Sequence, residues 1–188
     1  IMAYAIAESD RTAAEGEWFL NTAATSRDDN NFAEAIVDEL SGVFCVDQDR
    51  LYAIGYSLGS MFTYEIACQL NDRFAAVASF AGTMPVSPET CNLRGSMAVL
   101  HFHGKLDYII DYDDDWDWKD GEHEGVGTMS NIPGMIDYWA ENSNCQNEDS
   151  HYHLDIEHIV HSNCDGGVNI EHYGMEFHGH SWPQEVAG

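Results

Sequence analysis

Short apolar segments occur at regular intervals along the chain. Those at 49–56, 74–82 and 96–104 are mostly apolar, which is typical of buried parallel strands. The opening segment IMAYAIA has the same character and predicts another buried strand. Late in the chain, HYHLDIEHIV and GVNIEHY predict two further strands.

Segments with helical features separate these strands. Phe32, Ile36 and Leu40 recur at intervals of four behind N-cap candidates at 28–31, and they predict an amphipathic helix. SLGSMFTYEIACQL predicts a second helix, and NIPGMIDYWAEN predicts a third that Pro133 starts. Because strands and helices alternate, we expect an α/β class with a parallel sheet. The length of 188 residues suits one domain over residues 1–188.

Carboxylates dominate the charged residues. The chain has 33 Asp and Glu against 7 Lys and Arg, and its net charge is −26. Such a surface repels phosphate backbones and anionic lipid, so neither nucleic acid nor a membrane surface is an expected partner. Two interpretations stay open: halophilic adaptation to a saline setting, where salt screens self-repulsion, or an ordinary acidic soluble protein. The sequence contains no apolar run long enough to cross a bilayer.

The motif Gly55-Tyr56-Ser57-Leu58-Gly59 lies between a predicted strand and a predicted helix. In that context G-x-S-x-G predicts a nucleophile elbow, in which a strained turn exposes the Ser57 hydroxyl above the carboxyl edge of the sheet. The glycines let the turn close, and the Leu58 N–H would point at the developing oxyanion. The alternative is a small-residue turn that only packs a helix on a sheet.

A nucleophilic serine needs a base and an acid that orients the base, expected in the order Ser, Asp or Glu, His. Asp107 follows the strand at 96–104 in HGKLD and is the preferred acid; Asp111 and 113–115 are its competitors. His180 in FHGHSWP is the expected base, with His178 as its rival.

Three HxH pairs occur along the chain: His101 with His103, His151 with His153, and His178 with His180. In a strand, such a pair places two imidazoles on one face, as metal sites often do. Since no third ligand with a recognisable spacing joins them, a metal-binding module is only an alternative.

The acidic segment DYDDDWDWKDGEHEG lacks the periodicity of a helix or a strand. It is interpreted as a solvated surface loop, with a calcium site or a substrate-facing flap as alternatives. Its spacing departs from the EF-hand pattern. As part of a substrate-facing flap, Trp116 and Trp118 would bind a sugar or an aromatic polymer.

The five cysteines form no C-x-x-C pair, and disulfides are preferred to buried free thiols. Cys145 and Cys164 bracket a strand-like segment, and closing that loop would remove about 3 kcal/mol of unfolded-state freedom. Cys45 is the expected leftover cysteine, with a partner on a segment outside this chain.

The segments YAIGYSLGSMFTYEIACQLNDRFAAVASFAG, CNLRGSMAVLHFHGKLD and GHSWP, with NCQ and a later cysteine, carry a family resemblance. They resemble the secreted α/β-hydrolase esterases that include polyhydroxybutyrate depolymerases, feruloyl esterases and acetyl xylan esterases. The resemblance covers most of the chain, with gaps in the acidic segment. It implies a mostly parallel sheet flanked by helices, Ser57, Asp107 and His180 as catalytic residues, and secretion. It also implies two disulfides, Cys68 with Cys91 and Cys145 with Cys164.

One part of the family pattern is not found in this sequence. Family members have an upstream strand that ends in an HG-type loop and supplies the second oxyanion N–H, and IMAYAIA corresponds to the strand after it. We therefore expect the N-terminal strands to be missing. Either the chain is truncated, or the region of Thr22 or Ser26 substitutes, or activity is weak, since losing one donor costs about 10² to 10³ in rate. An exposed sheet edge would also allow a homo-oligomer.

The sequence thus predicts a secreted serine carboxylic ester hydrolase that needs no cofactor. Its substrate would be a polyester such as polyhydroxyalkanoate, an aromatic polyester, or a feruloyl or acetyl ester of plant polysaccharide. Tyr56, Met61 and Trp182 would line an acyl or aromatic pocket, or alternatively pack in the core. The alternative function is a catalytically silent, truncated hydrolase fragment or a histidine-based metal-binding module.

Overall fold

A computed structural model describes residues 1–7, 18, 20, 29–85, 91, 93–117 and 127–182. Helices and strands alternate through the first half of these residues. The helices are α1 (Asp29–Val43), α2 (Leu58–Gln69) and α3 (Ile132–Asn142). The strands are β1 (Tyr52–Tyr56), β2 (Ala76–Phe80), β3 (Ala98–Gly104), β4 (Trp116–Asp117), β5 (Thr128–Met129), β6 (Asn147–His153), β7 (Ile156–Ser162) and β8 (Ile170–Met175).

Six of the strands form one sheet in the order β1-β2-β3-β8-β7-β6. The pairs β1–β2, β2–β3 and β3–β8 are parallel, whereas β7 and β6 continue the sheet in antiparallel register. The expected α/β class with a mostly parallel sheet is confirmed. Because β1, β3 and β8 are parallel, the loops that follow them leave the sheet at the same edge.

The main core lies between the sheet and the helices α2 and α3. Residues 60–68 of α2 are all buried. On α3, Ile132, Met135, Ile136 and Trp139 are buried at the helical spacing i, i+3, i+4, i+7. The Asn131 side chain caps α3 by accepting a hydrogen bond from Gly134 N at 2.8 Å.

Helix α1 forms where the periodicity predicts it, although its buried face is displaced by one residue. Val37 is buried and Ala33 packs against the core, whereas Phe32 is 44% exposed. The predicted apolar series Phe32, Ile36 and Leu40 therefore flanks the contact face. An ion pair of 2.7 Å between Arg73 and Asp38 links α1 to the segment after α2.

Two strand predictions are wrong. Residues 1–7 contain no strand, and Ile1, Met2, Tyr4 and Ile6 are each more than 70% exposed. Apolar composition does not make a strand by itself, because a strand also needs a neighbour for its backbone groups. The segment HYHLDIEHIV is two strands rather than one, since Leu154 adopts a positive φ of 55° and turns the chain between β6 and β7.

Two disulfides tie these elements together. Cys68 in α2 is joined to Cys91, and Cys145 is joined to Cys164. The second bond closes the open end of the β6–β7 hairpin, because its cysteines lie just before β6 and just after β7. Cys45 is an exposed free thiol. Of the helices in the described ranges, none combines the length and the apolarity needed to cross a bilayer.

Candidate active site

Ser57 lies in the sharp turn between β1 and α2. Its backbone has φ 52° and ψ −123°, and its N–H donates to the Phe80 carbonyl at 3.0 Å. A positive φ is costly for a residue with a Cβ, and such strain occurs mainly where the surrounding structure enforces it. The turn is the strand-to-helix geometry that the G-x-S-x-G motif predicts.

The first glycine of the motif, Gly55, is required because there is no room for a side chain at its position. A Cβ on Gly55 would overlap the Gly59 carbonyl group and crowd the Thr63 hydroxyl, so α2 could not pack on β1 as closely as it does. A Cβ on Gly59 would meet only Trp18 Nε1, at 3.8 Å. The close approach of helix and strand therefore depends on Gly55.

His180 forms hydrogen bonds with both Ser57 and Asp107. Its Nε2 lies 2.9 Å from Ser57 Oγ, and its Nδ1 lies 2.7 Å from Asp107 Oδ2. Asp107 follows β3 and His180 follows β8, which are parallel neighbours. Their loops are joined by a hydrogen bond of 2.9 Å from Leu106 N to the His178 carbonyl. The order along the hydrogen-bonded series is serine, histidine, aspartate.

Asp107 is held as a buried carboxylate. Only 4% of the residue is exposed, and Oδ1 accepts hydrogen bonds from Ile109 N at 2.9 Å and Ile110 N at 3.0 Å. Burial alone would raise the pKa of this carboxyl group. The polar contact with His103 and the hydrogen bonds from His180 and the two backbone N–H groups outweigh that cost and hold the pKa well below its usual range. Asp107 is thus ionised at neutral pH.

The rival residues have other hydrogen-bond partners. Asp111 Oδ1 accepts from the backbone of Asp113 and Asp114, both at 2.9 Å. Asp115 Oδ1 accepts from the backbone and side chain of Asn131, both at 2.7 Å. His178 Nε2 lies 2.7 Å from the Ser181 carbonyl. These contacts organise the two loops, whereas the contacts of Asp107 and His180 converge on Ser57.

The predicted substrate-binding residues separate into two groups. Tyr56 and Trp182 lie beside the base: the Tyr56 ring is 5.4 Å from the His180 ring and 5.7 Å from Trp182, which meets it edge-on. Met61 is only 3% exposed and belongs to the core, and Trp116 packs half-buried against that core. Trp118 lies outside the described residues.

One of the candidate hydrogen-bond donors of the oxyanion site, the Leu58 N–H, lies among the residues that the structure describes. Leu58 is the first residue of α2, so its N–H lies at the positive end of the helix next to Ser57. The region of Thr22 and Ser26, the sequence-based candidates for a second donor, lies outside the described residues.

The histidine pair on β3 has a role that the sequence did not suggest. His101 and His103 are fully buried, and His103 Nε2 lies 3.3 Å from Asp107 Oδ2. In the sequence, the HxH pattern is also compatible with a pair of metal ligands. Within the described ranges no group of three or more His, Cys, Asp or Glu could hold a metal ion. The sequence carries one indication of this contact, which is that HFH leads directly into the HGKLD segment that contains Asp107.

A third buried histidine, His172 on β8, completes this polar layer. Its Nε2 lies 2.8 Å from the Tyr112 hydroxyl, and its ring stacks on His101 at 5.5 Å. Burial and then the neighbouring His103 lower the pKa of His172 to about 3. Burial, followed by His103 and His172, also holds the pKa of His101 well below its usual range. Both imidazoles are therefore neutral.

Sequence comparisons identify relatives of this chain. A family model described as phospholipase/carboxylesterase matches residues 15–116. Feruloyl esterase B of Piromyces equi is 26% identical over 160 residues, which is 81% of this chain and 29% of that protein. A bifunctional acetylxylan esterase/xylanase of Neocallimastix patriciarum is 25% identical over 153 residues, 81% of this chain and 21% of that protein. The chain thus spans less than a third of the length of these relatives.

A comparison with solved structures gives the same architecture. An acetyl xylan esterase from Aspergillus awamori matches with a TM-score of 0.64 and 14% sequence identity. The match covers 93% of this chain and 72% of that chain. At this identity the likeness shows a shared fold.

Proposed function

The chain belongs to the phospholipase/carboxylesterase family, and on that premise we propose that it hydrolyses carboxylic esters through an acyl-enzyme on Ser57. The α/β-hydrolase fold and the esterase-family resemblance expected from the sequence are confirmed by these comparisons. The observation that carries the proposal is the hydrogen-bonded series Ser57–His180–Asp107 at a strand-to-helix elbow. That series has the geometry and chain order of a serine hydrolase triad.

In the proposed mechanism, Ser57 Oγ attacks the ester carbonyl carbon while His180 Nε2 accepts the hydroxyl proton. The Leu58 N–H stabilises the oxyanion of the tetrahedral intermediate. His180 then gives the proton to the leaving alcohol as the C–O bond breaks, which leaves an acyl group on Ser57. Water attacks that acyl group while His180 accepts a proton from it, and His180 then returns the proton to Ser57 Oγ as the bond to the acyl carbon breaks and the carboxylic acid leaves. Because the side chains supply every proton transfer, no cofactor takes part in these steps.

Asp107 supports the base without taking its proton. As an ionised carboxylate at neutral pH it accepts the Nδ1–H of His180, which selects the tautomer whose Nε2 can accept the serine proton. Its negative charge then stabilises the imidazolium that forms.

Exposed apolar side chains on the Asp107 and His180 loops favour an ester with an aromatic or apolar acyl group. They are Leu106, Tyr108, Ile109, Phe177 and Trp182, which range from 43% to 87% exposed. The fungal relatives are named as feruloyl and acetylxylan esterases. Within the proposed activity, feruloyl or acetyl esters of plant polysaccharide and polyesters such as polyhydroxyalkanoates or aromatic polyesters are the candidate substrates.

An extracellular location is part of the proposal. The two disulfides are typical of proteins that fold in an oxidising compartment. A homo-oligomer through the sheet edge stays a hypothesis: β1 is an edge strand of the described sheet, and Tyr52 and Ile54 on it are 60% and 69% exposed.

The test is hydrolysis of p-nitrophenyl acetate, methyl ferulate, acetylated xylan and polyhydroxybutyrate by the wild-type chain and by Ser57→Ala. We expect turnover of at least one ester that is lost in the variant. To test the apolar loops, Tyr108→Ala and Trp182→Ala should raise KM for methyl ferulate, whereas Leu154→Ala, 87% exposed at the β6–β7 turn, should not. A folded chain that hydrolyses none of these esters would support the silent-fragment alternative.

A further inference from the structure

Asp107 Oδ2 is approached by a second imidazole besides that of His180. His103 Nε2 lies 3.3 Å from this oxygen and 3.0 Å from the Ile110 carbonyl. The residue has no exposed surface, and the proposed mechanism gives it no step. Its position against the carboxylate that orients the base therefore calls for an explanation.

His103 is itself the end of a buried hydrogen-bonded series. His101 Nε2 lies 3.2 Å from His103 Nδ1. Beyond it, His101 Nδ1 lies 2.8 Å from the Tyr64 hydroxyl and 3.0 Å from the Ser79 hydroxyl. The series crosses from α2 through β2 and β3 to the loop of Asp107, and all its members are buried.

For a neutral His103, the carbonyl and carboxylate end fixes the direction of the hydrogen bonds along the series. A carbonyl oxygen and a carboxylate only accept, so His103 Nε2 must carry the proton and donate. His103 Nδ1 is then an acceptor, and the hydrogen on it must come from His101 Nε2. His101 Nδ1 in turn accepts from a hydroxyl, that of Tyr64 or Ser79. Each imidazole is thus held in one tautomer, and the His103 N–H donates to the Ile110 carbonyl beside Asp107 Oδ2.

We propose that His103 is a positioning residue, whose N–H is oriented by His101 and Tyr64 and fixes the Asp107 carboxylate for its contact with His180. The contact is structural, and only its effect on turnover depends on the proposed esterase function. From 3.3 Å, the polar His103 N–H also stabilises the negative charge on the oxygen that faces His180. It therefore limits how strongly the carboxylate favours imidazolium and sets the basicity of His180.

The groups that face His103 come from four elements. His101 lies on the same strand, Asp107 and Tyr112 lie on the following loop, His172 lies on β8, and Tyr64 reaches the series from α2. His180 contacts the same carboxylate oxygen from the loop after β8. Of these, Asp107 stays ionised and His101 and His172 stay uncharged near neutral pH, because the pKa of each is lowered.

Three substitutions separate positioning from packing. His103→Leu removes the donor, and His103→Asn places an amide at the level of Nδ1, too short to reach Asp107. His103→Gln places an amide N–H near the position of Nε2. The matched control is His172→Leu, because His172 is equally buried and stacks on His101 but is hydrogen-bonded to Tyr112.

The measurements are the pH profile of kcat/KM for p-nitrophenyl acetate and the NMR titration of the His180 imidazole in each folded variant. We expect His103→Leu and His103→Asn to lower kcat roughly tenfold with KM nearly unchanged. They should also move the acid limb of the kcat/KM profile to higher pH, because the Asp107 carboxylate would then favour the imidazolium form more strongly. His103→Gln should keep most of the wild-type behaviour, and His172→Leu should keep the wild-type pH profile.

Folding failure in one variant does not remove the test. If His103→Leu does not fold, the comparison of His103→Asn with His103→Gln carries the proposal. Equal His180 titrations and equal acid limbs in those two variants would overturn it. If the wild-type chain lacks turnover, the esterase proposal fails while the His180 titration still reports whether His103 acts on Asp107.

Discussion

Gly55 on β1 and Gly59 on α2 lie so close together that a Cβ on Gly55 would overlap the Gly59 carbonyl group. A side chain at Gly59 has room, because a Cβ there would meet only Trp18 Nε1, at 3.8 Å. The two glycines of the motif therefore differ in whether the structure requires glycine at their position. Gly55 permits the contact between strand and helix that brings Ser57 into the turn.

This asymmetry predicts opposite outcomes for two alanine variants. Gly55→Ala should destabilise the fold by about 1–3 kcal/mol, the usual cost of overpacking. Gly59→Ala should be neutral or stabilising by up to about 1 kcal/mol, since alanine is the better helix former. Urea unfolding followed by circular dichroism measures both. Equal losses of stability in the two variants would show that the close contact is not what requires glycine.

Asp107→Asn should abolish most of the activity and leave the protein folded. An amide cannot stabilise imidazolium, and its N–H favours the wrong tautomer of His180, so a loss of about 10⁴ in kcat is expected. The matched control is Asp111→Asn, because Asp111 accepts backbone hydrogen bonds in the same loop without contacting His180. Wild-type rates in Asp107→Asn would assign the orienting role to another acid.

Stability should fall as the pH is lowered from 7 to 5. His172 has a pKa of about 3 in the fold, against about 6.5 in an unfolded chain, so acid protonates the unfolded state first. The contribution of His172 to stability is fully present above its pKa in the unfolded chain and is lost as the pH falls toward its pKa in the fold. Between pH 7 and pH 5 this loss is on the order of 2 kcal/mol for this group. His101 acts in the same direction. Asp107, whose pKa is lowered, adds a further loss only below about pH 4.

Urea midpoints at pH 5 and pH 7 measure this slope, and His172→Leu is the informative variant. Removing the histidine should reduce the difference between the two pH values, even if the variant is less stable at both. A variant slope equal to that of the wild type would mean that His172 is not the group that resists protonation.

Salt should stabilise the fold. A net charge of −26 makes the folded surface repel itself, and raising NaCl from about 0.05 M to about 1 M shortens the Debye length well below the spacing of surface charges. A gain of about 1 kcal/mol would raise Tm by roughly 2–4 °C in a chain of this size. Equal effects of NaCl and KCl would identify screening as the cause. A Tm that is constant or falls with salt would favour the ordinary acidic interpretation over salt adaptation.

The sequence predicts most of the sheet because buried parallel strands carry their own signal. Apolar runs at 49–56, 74–82 and 96–104 contain β1, β2 and β3, and the segment after Ser57 contains α2. The same signal misplaces a strand at residues 1–7, since local composition cannot report whether a neighbour exists to pair with. The β6–β7 turn is missed because Leu154 is an uncommon residue for a positive φ.

At the candidate site, chain order and motif context lead to Ser57, Asp107 and His180, which the structure brings within hydrogen-bonding distance. The contact of His103 with Asp107 could not be predicted in this way, because HxH on a strand is equally compatible with metal ligation, exposure or a buried hydrogen bond. Only the packing of β3 against α2 and β8 distinguishes these possibilities. Met61 likewise follows the nucleophile in sequence, but the helical turn directs it into the core.

Fluorophosphonate labelling followed by peptide mass spectrometry tests the central claim most directly, because it reports an activated nucleophile without requiring the natural substrate. We predict covalent modification of the wild-type chain at Ser57, much slower modification of His180→Ala, and none at this position in Ser57→Ala. A folded wild-type chain that stays unlabelled, or that is labelled equally fast without His180, would contradict the proposal that Ser57 is a nucleophile activated by His180 and Asp107.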